Sequence, residues 1–100
     1  MLVKSKIIVT GIRKFNGVID GKEHDFTKIN YVPIDSYLNN DREVGYFPTE
    51  ILAGTSLAFD ELSSYKYPCI FDAEMSISQN RKGNLDVTLN GFKYIKDLVL

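Results

Sequence analysis

Arg13, Phe15, Phe26 and Lys28 are the residues whose types and spacing come closest to chemistry, and that chemistry is binding rather than bond-making. Folding Ile8 to Pro33 into a hairpin about the dipeptide Asp20-Gly21, a strong turn signal, pairs Ile19 with Lys22, Phe15 with Phe26 and Arg13 with Lys28. The two-residue strand period then gathers Arg13, Phe15, Gly17, Ile19, Lys22, His24, Phe26, Lys28 and Asn30 on one face. That face holds no carboxylate, since Glu23 and Asp25 fall on the other side with Asn16 and Val18. Two cations opposite one another repel, so the pattern asks for an anion between them. Cations flanking two flat rings suit a single nucleic-acid strand, with charge for its phosphates and faces for its bases.

The elements that must carry this face read as an all-β domain. Gly11 signals a bulge or bend within a long first strand that starts near Ser5, and the second arm of the hairpin ends near Val32-Pro33. Tyr31 falls on a face with Ile8, Ile12 and Ile29, which predicts burial for it. Ser36 to Glu43 is polar and turn-rich, a loop. A third strand is expected over Val44 to Ala53, interrupted or made an edge by Pro48; Tyr46 and Phe47 should point to opposite sides of it, one of them exposed. Ser56 is placed to cap a short helix through Leu57, Ala58, Glu61, Leu62 and Tyr65. After Tyr67-Pro68, Cys69, Phe71, Ala73, Met75 and Ile77 alternate with polar residues as a half-buried strand, with Cys69 most simply in the core. A turn at Gln79 to Asn84, with Arg81 and Lys82 at its tip, leads into a final strand from Leu85 to about Ile95. Five strands with one short helix between the third and fourth describe a small barrel of the oligonucleotide-binding (OB) type, occupying residues 1–100 as one domain.

Charge is the main argument against a nucleic-acid partner, because the formal net value is −1. Its distribution is uneven: residues 1–28 carry six bases and three acids, residues 29–75 two bases and eight acids, and residues 76–100 four bases and two acids. The ends are basic and the middle acidic, so a local field can attract phosphate although the total is near zero.

Late in the chain, Tyr67-Pro-Cys-Ile-Phe-Asp-Ala-Glu-Met-Ser-Ile-Ser is followed by a basic turn ending in Gly83 and by Leu85-Asp-Val. Together with Lys6-Ile-Ile-Val-Thr-Gly, the basic hairpin and Gly21-Lys22 entering an aromatic strand, this order resembles the gene V type single-stranded DNA-binding proteins of filamentous bacteriophages. The resemblance implies an OB-like barrel, a two-fold homodimer, and sequence-independent coating of single-stranded DNA in phage or mobile-element replication. It assigns the protruding hairpin residues Arg13, Lys14, Phe15, Lys22, Phe26 and Lys28 to DNA contact, and the turn at Arg81 and Lys82 to a second protruding loop. One departure concerns the final strand, where the family's arginines are replaced by Asp86, Thr88 and Asn90, with Lys93 the nearest base. His24, on the hairpin face, is a phosphate-contacting or structural residue, and Tyr46 is the aromatic candidate of the third strand.

Catalysis, cofactors, metals and small-molecule substrates are not expected. No phosphate loop, nucleophile elbow or histidine-metal spacing is present, and a lone Cys69 offers neither a disulfide nor a thiolate zinc site. Asp72 and Glu74 share a strand face with Ser76 and Ser78 that reads as solvated surface. The sequence has no membrane span or signal-peptide core, which predicts a cytoplasmic protein. The apolar tail from Ile95 to Leu100 reads as exposed and fits self-association. The competing reading is a small protein-interaction module of a phage or mobile element, docking on a host protein through its acidic middle segment.

Overall fold

A computed structural model describes residues 1–98. The first strand and the first hairpin arm form one continuous strand, β1 (Leu2–Ile19), which returns as β2 (Lys22–Pro33). Asp20 at φ 52° and Gly21 at φ 79° make the two-residue turn, and both positive angles match the right-handed twist of the strands they join. The register is the one expected from that turn: Ile19 faces Lys22, Phe15 faces Phe26 and Arg13 faces Lys28.

The chain continues through a two-residue ladder of β3 (Leu38–Asn39) and β4 (Val44–Gly45), then β5 (Thr49–Gly54), α1 (Leu57–Leu62), β6 (Cys69–Gln79) and β7 (Leu85–Asp97). The fold is all-β, with five strands in one sheet whose hydrogen-bonded order β1-β2-β5-β7-β6 returns to β1. Closure is uneven. The β6–β7 ladder runs the length of both strands, whereas β5 meets β7 at one parallel bridge, Leu52 to Thr88.

Alternation decides what goes inside. Ile7, Val9, Ile29, Cys69 and Phe71 are fully buried, with Ile51, Leu62, Ala73, Met75 and Leu89 around them. Tyr65 leaves the end of α1 to stack on Tyr94 at 4.9 Å, and Phe92 lies on Phe71 at 4.7 Å. Tyr31 is buried as expected, but Ile8 does not accompany it. Thr10 is an extra residue between the pairs Val9–Tyr31 and Gly11–Asn30, and this bulge reverses the parity of β1. Ile7 and Val9 therefore face the core, while Ile8 turns outward into a separate cluster with Val32 and Ile70.

Three further expectations change. The polar stretch Ser36 to Glu43, read as a loop, contains β3, which pairs with β4 just beyond it, and a turn in which the Asn40 side chain accepts from the backbone N–H groups of Arg42 and Glu43. Tyr46 and Phe47 are both exposed, because Pro48 separates β4 from β5 and the two residues lie in the link rather than in a strand. The tail is divided where it is described: Ile95 is exposed as expected, whereas Leu98 packs against Ile8, Val32 and Ile70 and its N–H donates to the Pro68 carbonyl. Val99 and Leu100 lie outside the described residues.

Candidate nucleic-acid interface

The bulge that turns Ile8 outward gives the hairpin its two sides. Beyond Gly11, Ile12 packs toward the core, and the odd-numbered residues of β1 face outward opposite the even-numbered residues of β2. Phe15 and Phe26 sit on this outer side with ring centroids 5.7 Å apart and planes at 25°, a stacked pair belonging to neither core cluster. Gly17 helps to seat Phe15: a Cβ there would stand 3.2 Å from the ring, so the missing side chain makes the space the ring uses. Lys28 Nζ lies over the Phe26 ring, 5.1 Å from its centroid. His24 pairs with Gly17 one step nearer the turn, and Lys22 with Ile19 at its edge.

The two facing cations already have an anion between them. Glu50, brought alongside by the β2–β5 pairing of Asn30 with Glu50, places Oε2 3.0 Å from Arg13 Nε and Oε1 3.6 Å from Lys28 Nζ. The hairpin alone shows no carboxylate on this face, but the neighbouring strand supplies one. The expectation that the Arg13–Lys28 pair lacks a protein counter-ion is thus corrected.

The opposite side of the hairpin rests on α1. The backbone N–H of Ser56 donates to Asp25 Oδ1 at 2.8 Å, and the Thr27 hydroxyl donates to the Thr55 carbonyl, also at 2.8 Å. Ser56 occupies the N-cap position without a side-chain capping bond to the helix; Asp25, from β2, accepts instead. Hydrogen bonds from the Ser56 hydroxyl and backbone hold the Asp25 carboxyl below the ordinary aspartate range. Lys14 belongs to this side, its Nζ 4.9 Å from the centre of the Phe59 ring. It is therefore not a neighbour of Arg13 and Phe15 on the outer face.

The remaining candidates are dispersed. Tyr46 donates its hydroxyl to the Ile34 carbonyl and meets Tyr37 edge to face at 5.3 Å, at the end of β2 away from the hairpin turn. Ile34 is about 26 Å along the chain from Phe26 at the usual rise per strand residue. Arg81 and Lys82 are exposed in the β6–β7 turn, which Asn80 organises by accepting from the N–H groups of Lys82 and Asn84. A shallow groove lined by Lys28, Glu50, Leu52, Leu85, Asp86 and Thr88 leads from the hairpin root toward that turn. Lys28 is the one cation in its lining and faces two carboxylates, so this path favours phosphate less than the hairpin face does.

Three further titratable side chains have their environments set by burial or hydrogen bonding. Burial and the nearby Asp97 push the Cys69 thiol up to about 11, away from the thiolate. Tyr67 is raised by burial, and its hydroxyl donates to the Leu62 carbonyl at 2.6 Å. Tyr94 is pushed up to about 12, first by its hydrogen bond to Asp97. Among the described residues, no three His, Cys, Asp or Glu side chains gather as a metal site, and no helix is long and apolar enough to cross a membrane.

Compared with known proteins, the chain matches no family model, no curated protein and no solved structure.

Proposed function

We propose that this chain is an OB-type domain that binds single-stranded DNA with little sequence preference through the outer face of the β1–β2 hairpin. The strand order supports the fold reading. Taking the five long strands as first to fifth, the sheet runs 1-2-3-5-4, its third and fifth strands pair in parallel, and α1 lies between the third and fourth. In such barrels the second and third strands and the loops joining strands 1–2 and 4–5 form the oligonucleotide surface. Here those loops are the Asp20-Gly21 hairpin and the Arg81-Lys82 turn.

One observation carries the functional reading: two stacked phenylalanines outside the core, edged by Arg13 and Lys28 at one end and by His24 and Lys22 at the other. Rings kept out of the core add little to folding, whereas a ledge two rings long accepts unpaired bases. Lys14, Tyr46, Arg81 and Lys82 are secondary contacts in this reading, reached only by a strand that leaves the hairpin face. The protein acts by binding rather than catalysis, in the cytoplasm and as a homodimer, without cofactor, and serves phage or mobile-element replication in the manner of the gene V type proteins it resembles.

Titrating a fluorescent oligothymidylate at several salt concentrations tests this. Binding should favour single strands over duplex and weaken linearly in the logarithm of salt, by about 0.7 per phosphate neutralised. No binding at low ionic strength refutes it.

A second reading has an observation of its own. Ile34, Tyr37, Leu38, Val44, Tyr46 and Phe47 expose apolar surface within one acidic segment, which suits a protein partner. Indifference to nucleic acid, with a partner lost on Phe47→Asp, would favour it.

A further inference from the structure

Glu50 is the one carboxylate that contacts the hairpin's outward cations among the described residues, and it contacts two of them at once. Each oxygen takes one partner: Oε2 meets Arg13 Nε at 3.0 Å and Oε1 meets Lys28 Nζ at 3.6 Å. A phosphodiester also offers two terminal oxygens on one anionic centre, so it presents the same pair of acceptors to the same pair of donors. Phe15 and Phe26 lie immediately beyond, two residues along and so on the same face. A nucleotide whose base rested on those rings would bring its phosphate to the place the Glu50 carboxylate now occupies.

We propose that Glu50 is an internal competitor for phosphate at the Arg13–Lys28 site, displaced when a DNA strand binds; this rests on the single-strand reading above. The side chain is suited to exchange. It is about a third exposed, and Arg13 is about two-thirds exposed. An ion pair this accessible is weakly held and yields readily to a better anion. Its backbone, by contrast, is fixed in the β2–β5 ladder, so the carboxylate swings aside without moving the strand. Because Glu50 neutralises one of the two cations in the free protein, an arriving phosphate collects only part of their charge. A monoanion that binds Arg13 alone leaves Lys28 with Glu50, whereas one seated between both must expel the carboxylate. Glu50 thereby sets a threshold favouring a polyanionic strand, which repays the displacement through neighbouring contacts, over isolated anions.

The test compares the unsubstituted protein, Glu50→Gln and Glu43→Gln for binding to a fluorescent oligothymidylate across a salt series. Glu43, in the turn between β3 and β4, is exposed and removes the same formal charge at a different place. Glu50→Gln should bind roughly threefold to fivefold more tightly at low salt, the upper size of one exposed ion-pair competition. Its logarithmic salt dependence should match the parent's, because the same phosphate is seated in both complexes once Glu50 has been displaced. Glu43→Gln should stay within about twofold of the parent, as a distant charge is screened. The proposal is overturned, with the DNA reading intact, if the parent binds and Glu50→Gln gains nothing, or if Glu43→Gln gains as much. If neither parent nor Glu50→Gln binds at low salt, both fall. Binding by Glu50→Gln alone would show a carboxylate that DNA does not displace, which overturns the proposal together with binding by the unsubstituted chain.

Discussion

The two halves of β1 show how differently one strand can be used. From Leu2 to Val9 it runs beside β6, joined at its end by β2, with Ile7 and Val9 sealed inside and Ile8 covered outside. From Gly11 to Ile19 it has β2 alone, and past Ile12 its side chains are exposed or half-buried. Over Ile7 to Val9 the first half is packed on both faces. The second is a two-stranded projection, a kind of element only marginally stable in isolation and anchored here at its root by Asp25, Thr27 and Lys14 against α1. Residues toward its tip are released from the demands of the core, which leaves Arg13, Phe15 and Phe26 open to selection for what they touch outside.

Aromatic truncations should separate the halves most sharply. Phe71→Ala removes a fully buried ring at the centre of the aromatic cluster and should cost about 3–5 kcal/mol of folding stability, measured by urea denaturation. Phe26→Ala should lower oligothymidylate affinity by about 1–3 kcal/mol, while folding loses no more than about 1.5 kcal/mol, the value of the ring pair. If Phe26→Ala were as destabilising as Phe71→Ala, the contrast between a structural and a displayed half would be gone.

Charge changes probe the same division on a smaller scale. Lys28→Glu breaks one contact with Glu50 and sets a second carboxylate beside it, so the free protein should lose about 0.2–1 kcal/mol and bind DNA more weakly. On the hairpin alone the opposite sign would hold, since Arg13 would gain a partner; a stabilised Lys28→Glu would show that Glu50 does not reach this site. Asp25→Asn should have the smallest effect. With its folded pKa depressed below the ordinary aspartate value of 3.8, Asp25 contributes stability that is full above the unfolded pKa and lost as pH falls through the lower folded one. The melting-temperature gap between parent and Asp25→Asn should therefore be constant near neutrality and close in acid.

Local rules made the hairpin readable and distance obscured the rest. Asp20-Gly21 fixes a two-residue turn, and the turn fixes every pair up to the bulge, so the Phe15–Phe26 and Arg13–Lys28 partners followed from sequence. Gly11 signalled the bulge, but the inserted residue is Thr10, and the resulting change of face at Ile8 depends on which residue is extra. Glu50 was hidden for a different reason: β5 joins β2 only after a long excursion through β3 and β4, with no short turn from which to count its register. The Asp25 bond to the start of α1 spans 31 residues and carries no local signature, whereas Ser56 looked like a cap because it sits where caps sit.

The lone bridge between Leu52 and Thr88 bears on how the chain assembles. The long hairpins β1–β2 and β6–β7 are each joined by a short turn, so they pay little loop entropy and can form on the microsecond scale. Joining β5 to β7 must bring together strands separated by α1 and the whole of β6, and gains a single backbone bridge there. A seam held by one bridge should therefore form late in folding and part early in the native state. Amide hydrogens of β5 and β7 that point into the seam, rather than those held in the β2–β5 and β6–β7 ladders, should exchange ahead of those at Ile7, Val9 and Phe71, and the molecule should breathe by parting there, beside the groove that holds Lys28 and Glu50.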